Sequence, residues 1–366
     1  MSADPGEPDR RPGAPHPRET VVLEGQAEAE AGFLAASAGG RIHHAWLLTG
    51  PRGFGKATLA WRIARHLLAG ATAPSLDMDP GDPVFRQVAA LAAPRLFLCR
   101  RPWDDKARPP RLKTAITVDE VRALKGFFQL SAPDGGWRVA IVDAADELTD
   151  SAANALLKIL EEPPPRSVLL LVCHQPARLM PTLRSRCREL RCRPLAAAPL
   201  ARALAAAGVD PGGDADAVGA LAAGSVGRAF DLVSAGGAGL YGEIVALLAA
   251  APPLDRARAI ALADSCSGRD AGARYALALE LIGVALARLA RAAAGAPVVP
   301  LSEREAAAFA RLGRHPGQAR IWAELAAELA GRTGHARAVH LDPAQVILDT
   351  LFRIDAAAAQ AFGHAA

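Results

Sequence analysis

Aromatic residues make up only 5% of the 366-residue chain. Sheets draw on aromatic and β-branched side chains to fill their pleated faces, so this scarcity, beside abundant Ala and Leu, argues against a β-sandwich and for helices. Cysteine is scarce as well, and Cys99, Cys173, Cys187, Cys192 and Cys266 show no C-x-x-C spacing. That leaves no legible zinc site and no disulfide scaffold, and it fits a reducing compartment. No apolar run approaches the ~20 residues of a membrane span. Residues 1–18 are polar and proline-rich without an apolar signal core, so they read as a disordered tail on a cytoplasmic protein with no membrane partner. The net charge is +4, which permits nucleic acid as a partner without arguing for it. There is no dense Lys/Arg stripe with interleaved aromatics, and Arg184, Arg186, Arg188, Arg191 and Arg193 form the most basic local patch.

What is there is organised around residues 138–190. An unbroken apolar run, Val139–Val142, closes on Asp143, and a second, Val168–Val172, follows. Runs without alternation suit strands buried on both faces. Between them Ala152, Ala155, Leu156, Ile159 and Leu160 recur at helical spacing over Ser151–Glu161, with Thr149 or Asp150 as N-cap and Pro163, Pro164 and Pro165 as the stop. This is a strand–helix–strand crossover in a parallel sheet, with Asp143 at a strand's carboxyl end, where such sheets bind ligands.

Upstream, a helix is expected over Gln26–Ala38, ending on Gly39-Gly40, then a strand over Arg41–Thr49. Directly after it come Gly50, Pro51, Arg52, Gly53, Phe54, Gly55, Lys56, Ala57 and Thr58, and a helix over Leu59–Leu68. Strand, glycine loop and helix are the context of a phosphate-binding loop: backbone N–H groups cradle phosphates and Lys56 reaches their oxygens. Two positions depart from an active ATPase. Ala57 stands where a Ser or Thr hydroxyl would hold magnesium, and Thr58 is one residue late. Ala144 stands where a glutamate would polarise water, with Asp146 and Glu147 displaced into the following turn. Weak binding of ATP with magnesium stays open; efficient hydrolysis is not expected.

Residues 71–116 are harder to read. Asp77–Pro83 is loop-like, Pro94–Cys99 reads as a strand, and Arg100–Arg111 is a charged insertion with prolines. A capping box, Thr117-Val118-Asp119-Glu120, starts a helix carrying Val121, Leu124, Phe127 and Phe128.

The segment LTDSAANALLKILEEPP at 148–164, followed by LRSRC at 183–187, resembles the AAA+ clamp-loader family of the bacterial DNA polymerase III holoenzyme. The likeness is close over about 42–190 and weakens beyond. It implies a P-loop domain, then a small lid, then an all-α collar. In that family the arginine of the Ser-Arg-Cys motif acts on nucleotide held by the neighbouring subunit; here that is Arg186, between Ser185 and Cys187. A guanidinium bridging phosphate oxygens suits the role, and an ordinary intersubunit salt bridge is the plainer alternative. Cys187 reads as a packed apolar residue. Active relatives carry an arginine in a Gly-Ser-x-Arg motif; here Gly224-Ser225-Val226-Gly227 has glycine, with Arg228 one late. Cys173-His174 replaces their threonines, and only Cys99 lies where a four-cysteine zinc module is often found, so no zinc is expected. These departures match a non-motor member. Its expected partners are the delta and tau/gamma subunits, the sliding clamp weakly or indirectly, and primed DNA through the assembled ring.

The boundaries that follow are 19–194 for the P-loop domain, 195–237 for the lid and 238–366 for the collar. Lid helices are expected over Pro199–Ala207, Ala215–Ala223 and Val226–Ser234. Five or so helices come after, with breaks at Pro252-Pro253, Gly268, 295–300, 313–317 and 331–334. Ala271–Ala294 carries the strongest apolar face, through Leu277, Leu281, Val284, Leu286 and Leu289. His315, His335 and His340 read as surface residues, and no metal site is expected. Two rival readings remain: a self-sufficient AAA+ motor, which requires turnover despite Ala57 and Ala144, and a DNA-binding adaptor, which requires tight, salt-dependent binding as a monomer.

Overall fold

A computed structural model describes residues 7, 9–11, 13–39, 42–104, 106–108, 111–129, 135–268, 271–338 and 341–363. Contacts divide the chain into two units: Met1–Val209 with Ala223–Phe230, and Asp210–Ala222 with Asp231–Ala366.

In chain order the first unit contains α1 (Ala27–Ala38), β1 (Ala45–Thr49), α2 (Lys56–Leu68), α3 (Pro83–Ala89), β2 (Leu96–Arg100), β3 (Trp103–Asp104), β4 (Arg111–Leu112), α4 (Val118–Gln129), β5 (Arg138–Asp143), α5 (Asp150–Glu161), β6 (Ser167–Cys173), α6 (Pro181–Arg184), β7 (Arg188–Arg191) and α7 (Ala197–Ala206). Five strands form one sheet in the order β2-β5-β6-β1-β7, and every pairing is parallel. The register aligns the carboxyl ends: Arg100 lies opposite Asp143, Asp143 opposite Val172, and Cys173 opposite Thr49.

The continuous apolar runs are explained by the two faces they fill. Trp46, Leu48, Val139, Ile141, Val168, Leu170 and Val172 pack with Phe33 and the apolar side of α2. Their neighbours Ala45, Leu47, Ala140, Val142, Leu169 and Leu171 pack with α4 and α5 on the other face. Every residue of β6 is buried, as a strand covered by helices on both sides requires. The P-loop domain implied by the resemblance is thus present as an α/β unit.

Local chemistry sets the element ends. Thr149, not Asp150, caps α5, its hydroxyl accepting from Ala152 N–H at 3.3 Å. Glu120 accepts from the Thr117 N–H at 2.7 Å and the Thr117 hydroxyl at 2.6 Å, which is the carboxylate half of the capping box. The helix expected from Leu59 starts three residues earlier, at Lys56, because Gly55 takes a left-handed φ of 82° and serves as N-cap. The strand expected from Arg41 starts at Ala45; His44 and His43 lie outside it, and Arg41 lies outside the described residues. Directly after the stretch read as loop-like, α3 is set by Asp82, which accepts from Val84 N–H at 2.7 Å ahead of Pro83. The charged insertion holds the two-residue hairpin of β3 and β4.

The disordered tail is corrected in part. His16 is fully buried, and two buried arginines of α2 hold the segment after it. Arg65 donates from Nη1 to Arg18 O at 2.8 Å and from Nη2 to Thr20 O at 2.9 Å. Arg62 donates to Val21 O and pairs with Glu30 and Asp77 at 2.7 Å each. These backbone anchors lie some forty residues away in sequence, so composition alone misses them.

The second unit is all-α: α8 (Ala215–Ala222), the end of α9 (Val226–Ser234), α10 (Gly237–Ala250), α11 (Arg256–Ser265), α12 (Gly272–Ala293), α13 (Glu303–Leu312), α14 (Pro316–Ala338) and α15 (Pro343–Gly363). Leu281, Leu286 and Leu289 of α12 are buried, with Ile282 and Ala285 beside them. The break expected at 331–334 does not occur, since α14 runs through Gly331 and Gly334. A helical glycine weakens a helix by roughly 1 kcal/mol without having to end it. The three expected lid helices are present, but α7 groups with the first unit and α8 with the second. His315 is exposed; the side chains of His335 and His340 lie outside the described residues. Among the described residues no single helix is long and apolar enough to cross a membrane.

Candidate nucleotide site and surface arginine

β1 ends at Thr49 and the chain turns through residues 50–55 into α2. Gly53 has φ 81°, and a Cβ there would lie 2.3 Å from Ser225 Oγ. Gly55 has φ 82°, and a Cβ would lie 2.6 Å from Leu23 Cδ1. Glycine at both positions is therefore required by conformation, and at Gly53 also by space, since Gly227 Cα and N lie 3.0 Å from the same Cβ. Gly50 completes the three positive-φ glycines of the loop, Pro51 and Arg52 are exposed, and Phe54 anchors the loop by packing into the core.

Lys56, the first residue of α2, is 2% exposed. Its Nζ donates to Pro51 O at 2.5 Å, folding back across its own loop. Burial pulls its pKa down to about 8, opposed by the negative potential of neighbours that include Asp143 and Asp146. Ala57 offers only a methyl group, and Thr58 lies about 100° further round the helix.

At the end of β5, burial pushes the Asp143 carboxyl up to about 7. The carboxylates of Asp9 and Glu147 add to this, while Lys56 and Arg52 oppose it. Ala144 is buried. The two acids beyond it are committed elsewhere. Asp146 accepts from His174 N–H at 2.8 Å and Gln175 N–H at 3.2 Å. Glu147 pairs with Arg52 at 2.7 Å and with Arg101 at 2.8 Å. Burial and the cations of Lys56 and Arg52 bring His174 down to about 4, so it is neutral at pH 7. Burial raises the neighbouring Cys173 thiol to about 12.

The Gly-Ser-x-Gly segment lies on the loop. Ser225 Oγ donates to Arg52 O at 3.1 Å, and Gly227 N–H donates to Gly53 O at 3.2 Å. Ser225 also caps α9, accepting from Arg228 N–H at 3.1 Å. A Cβ at Gly227 would lie 2.9 Å from Gly53 Cα and 2.9 Å from Arg11 Nη2. Arg11 donates from Nη1 to Gly227 O at 2.8 Å, and Asp9 pairs with Arg100 at the end of β2. Residues Asp9 and Arg11 thus border the site, which the sequence did not suggest; their only local signal is charge within a proline-rich stretch.

The structure keeps Arg186 away from this site. It precedes β7, whose Arg188 lies opposite Trp46 near the amino end of β1. From that level to Gly50 the parallel strands rise about 13 Å, and Arg186 lies in the turn just before β7. Its guanidinium Nη2 is 3.0 Å from Glu161 Oε1, its Nη1 donates to Thr182 O at 3.0 Å, and its side chain is 38% exposed. Ser185 Oγ donates to the same carbonyl at 3.1 Å. Cys187 packs against the core beneath, and burial raises its thiol to about 12, so it is not a thiolate at neutral pH. Leu47, Pro181, Arg184, Ser185, Cys187 and Glu189 line a cavity of about 330 Å³ here. Among the described residues no group of three or more His, Cys, Asp or Glu could hold a metal ion.

Residues 25–196 match the family described as DNA polymerase III, delta subunit. The DNA polymerase III subunit delta' of Pseudomonas aeruginosa is 40% identical over 157 residues, covering 42% of this chain and 45% of that protein. The Escherichia coli subunit delta' is 35% identical over 156 residues, covering 43% and 44%. The gamma/tau subunit of Mycobacterium tuberculosis is 31% identical over 179 residues, covering 46% and 28%. The chain therefore spans less than half the length of these curated relatives. Among solved structures, a DNA polymerase III gamma subunit-related protein from Thermotoga maritima aligns over 89% of this chain and 99% of its own, at 14% identity and a TM-score of 0.41. Over residues 25–196, which include the whole parallel sheet, the chain is similar to DNA polymerase III delta-prime subunits.

Proposed function

We propose that the chain is a non-motor clamp-loader subunit of DNA polymerase III. In this reading it joins delta and tau/gamma subunits in a ring that opens the sliding clamp and loads it on primed DNA. Arg186 supplies a guanidinium to the triphosphate held by a neighbouring tau/gamma subunit. The observation that carries the reading is the separation of Arg186 from Lys56. An arginine at the amino end of a parallel sheet cannot reach a phosphate loop at the carboxyl end of the same domain, so any phosphate it serves belongs to another chain. Its own loop, with Ala57 and Ala144 and with Asp146 and Glu147 already engaged, lacks the groups that hold magnesium and orient water. The helices from 195 to 237 serve as lid, and those from 238 onward as the collar that joins the subunits.

The test is Arg186→Ala in a ring reconstituted with tau/gamma and delta. ATPase and clamp loading are expected to fall by about tenfold or more, with assembly intact. Unchanged loading refutes the trans role. A self-sufficient ATPase is the second reading, and the fully formed loop with Lys56 at the start of α2 favours it. Magnesium-dependent turnover by the chain alone, abolished by Lys56→Ala, would establish that reading instead.

A further inference from the structure

Glu161 and Glu162 end α5 at the pole where a carboxylate is least favoured, because the unpaired carbonyls of the last turn carry partial negative charge. Helix stability gives no reason for two acids in succession there. The structure supplies one for Glu161, whose Oε1 lies 3.0 Å from Arg186 Nη2 while Nη1 of the same guanidinium donates to Thr182 O at 3.0 Å. One anchor belongs to α5 and the other to α6. Both have fixed roots: Leu160, next to Glu161, and Leu183 of α6 are buried in one core cluster, against which Cys187 also packs. A guanidinium carries five N–H groups in a planar fork. Tying two of its nitrogens to separate elements fixes the plane in which the remaining donors point.

We infer that Glu161 is a positioning residue for Arg186, holding the guanidinium at the surface in the orientation from which it meets a neighbour's triphosphate. The inference rests on the trans role proposed above. The two side chains are 38% and 50% exposed, so water screens the pair and it adds little to the stability of the fold. That weakness suits the role, since an incoming phosphate can draw the guanidinium off the carboxylate without breaking a strong bond. What is lost without Glu161 is orientation, worth about two- to fivefold in rate for a contact of this strength.

The test is a double-mutant cycle in the reconstituted ring, read as ATP turnover. Glu161→Ala is expected to lower kcat about two- to fivefold at unchanged KM for ATP. Glu161→Gln, which keeps an acceptor oxygen, recovers most of that loss. Glu161→Lys, which repels the guanidinium, takes turnover down to the Arg186→Ala level. In an Arg186→Ala background Glu161→Ala has no further effect. An equal loss in both backgrounds means a structural role and overturns the inference. Normal kcat for Glu161→Ala, in a ring that Arg186→Ala slows, overturns it while leaving the arginine reading intact. Normal turnover for Arg186→Ala overturns both.

Discussion

Replacing Lys56 by methionine tests the phosphate loop without any ligand. The ammonium is buried, with Pro51 O as its hydrogen-bond acceptor, and burial draws its pKa from 10.5 down to about 8. A base whose folded pKa lies below its unfolded value destabilises the fold while it is charged. The penalty is complete below about pH 8. It is relieved as pH rises from about 8 toward 10.5, because in that window the unfolded chain binds the additional proton. At roughly 1.4 kcal/mol for each tenfold change in proton affinity, the full effect is on the order of 3 kcal/mol. Lys56→Met keeps the aliphatic stem and removes the charge. It is expected to raise stability at pH 7 by about 1–3 kcal/mol and the midpoint of thermal unfolding by several degrees. The gain shrinks toward zero as pH approaches 10.5. Urea unfolding of both proteins at pH 7, 8.5 and 10 measures this directly. A variant less stable than the parent at pH 7, or a difference that does not change with pH, refutes the argument that this ammonium is held without its water. A charge kept in place at the expense of the fold is what a site for an anion requires.

Three further outcomes follow from the same geometry. Gly53→Ala puts a methyl group 2.3 Å from Ser225 Oγ at a φ of 81°; it should destabilise by about 1–3 kcal/mol, and a neutral effect in urea unfolding would mean that the loop can rearrange. Arg65→Ala removes the donors to Arg18 O and Thr20 O, so limited proteolysis should cut within residues 13–21 faster than in the parent, whereas unchanged cutting would show that Arg62 alone holds the segment. With the thiols of Cys99, Cys173 and Cys187 raised to about 12 and that of Cys192 to about 11, alkylation by iodoacetamide at pH 8 should be slow until the chain is unfolded; rapid labelling of any of these in the native protein would contradict their burial.

The parts of this fold that could be read from the sequence are those whose signal is local. Val139–Val142 and Val168–Val172 announce strands covered on both faces, and the helix between them carries its own cap and stop. The phosphate loop is legible because its glycines and Lys56 fall within one short stretch, Gly50 to Lys56. The remainder depends on partners far along the chain. Nothing near His16 indicates that Arg62 and Arg65 will hold the backbone beside it, and nothing near Arg11 indicates Gly227. Gly331 and Gly334 look like a break because glycine is a weak helix former, yet the alanines and charged residues around them carry α14 through. The sequence puts the start of α2 late because Gly55 reads as the last residue of a loop, whereas its left-handed backbone makes it the cap. Arg186 could be singled out by its motif, but its partner Glu161, twenty-five residues earlier, becomes visible only when α5 and α6 pack together.

The opposed positions of Lys56 and Arg186 also bear on symmetry. A domain with a receptor at one end of its sheet and a donor at the other pairs with its neighbour head to tail, and such contacts have no two-fold axis to limit them. Successive domains then close into a ring only if the rotation between them divides a full turn; otherwise they continue as an open helix. On the role proposed for Arg186, an assembly built this way has a direction, and a member that gives but does not receive fixes where the sequence of active contacts ends.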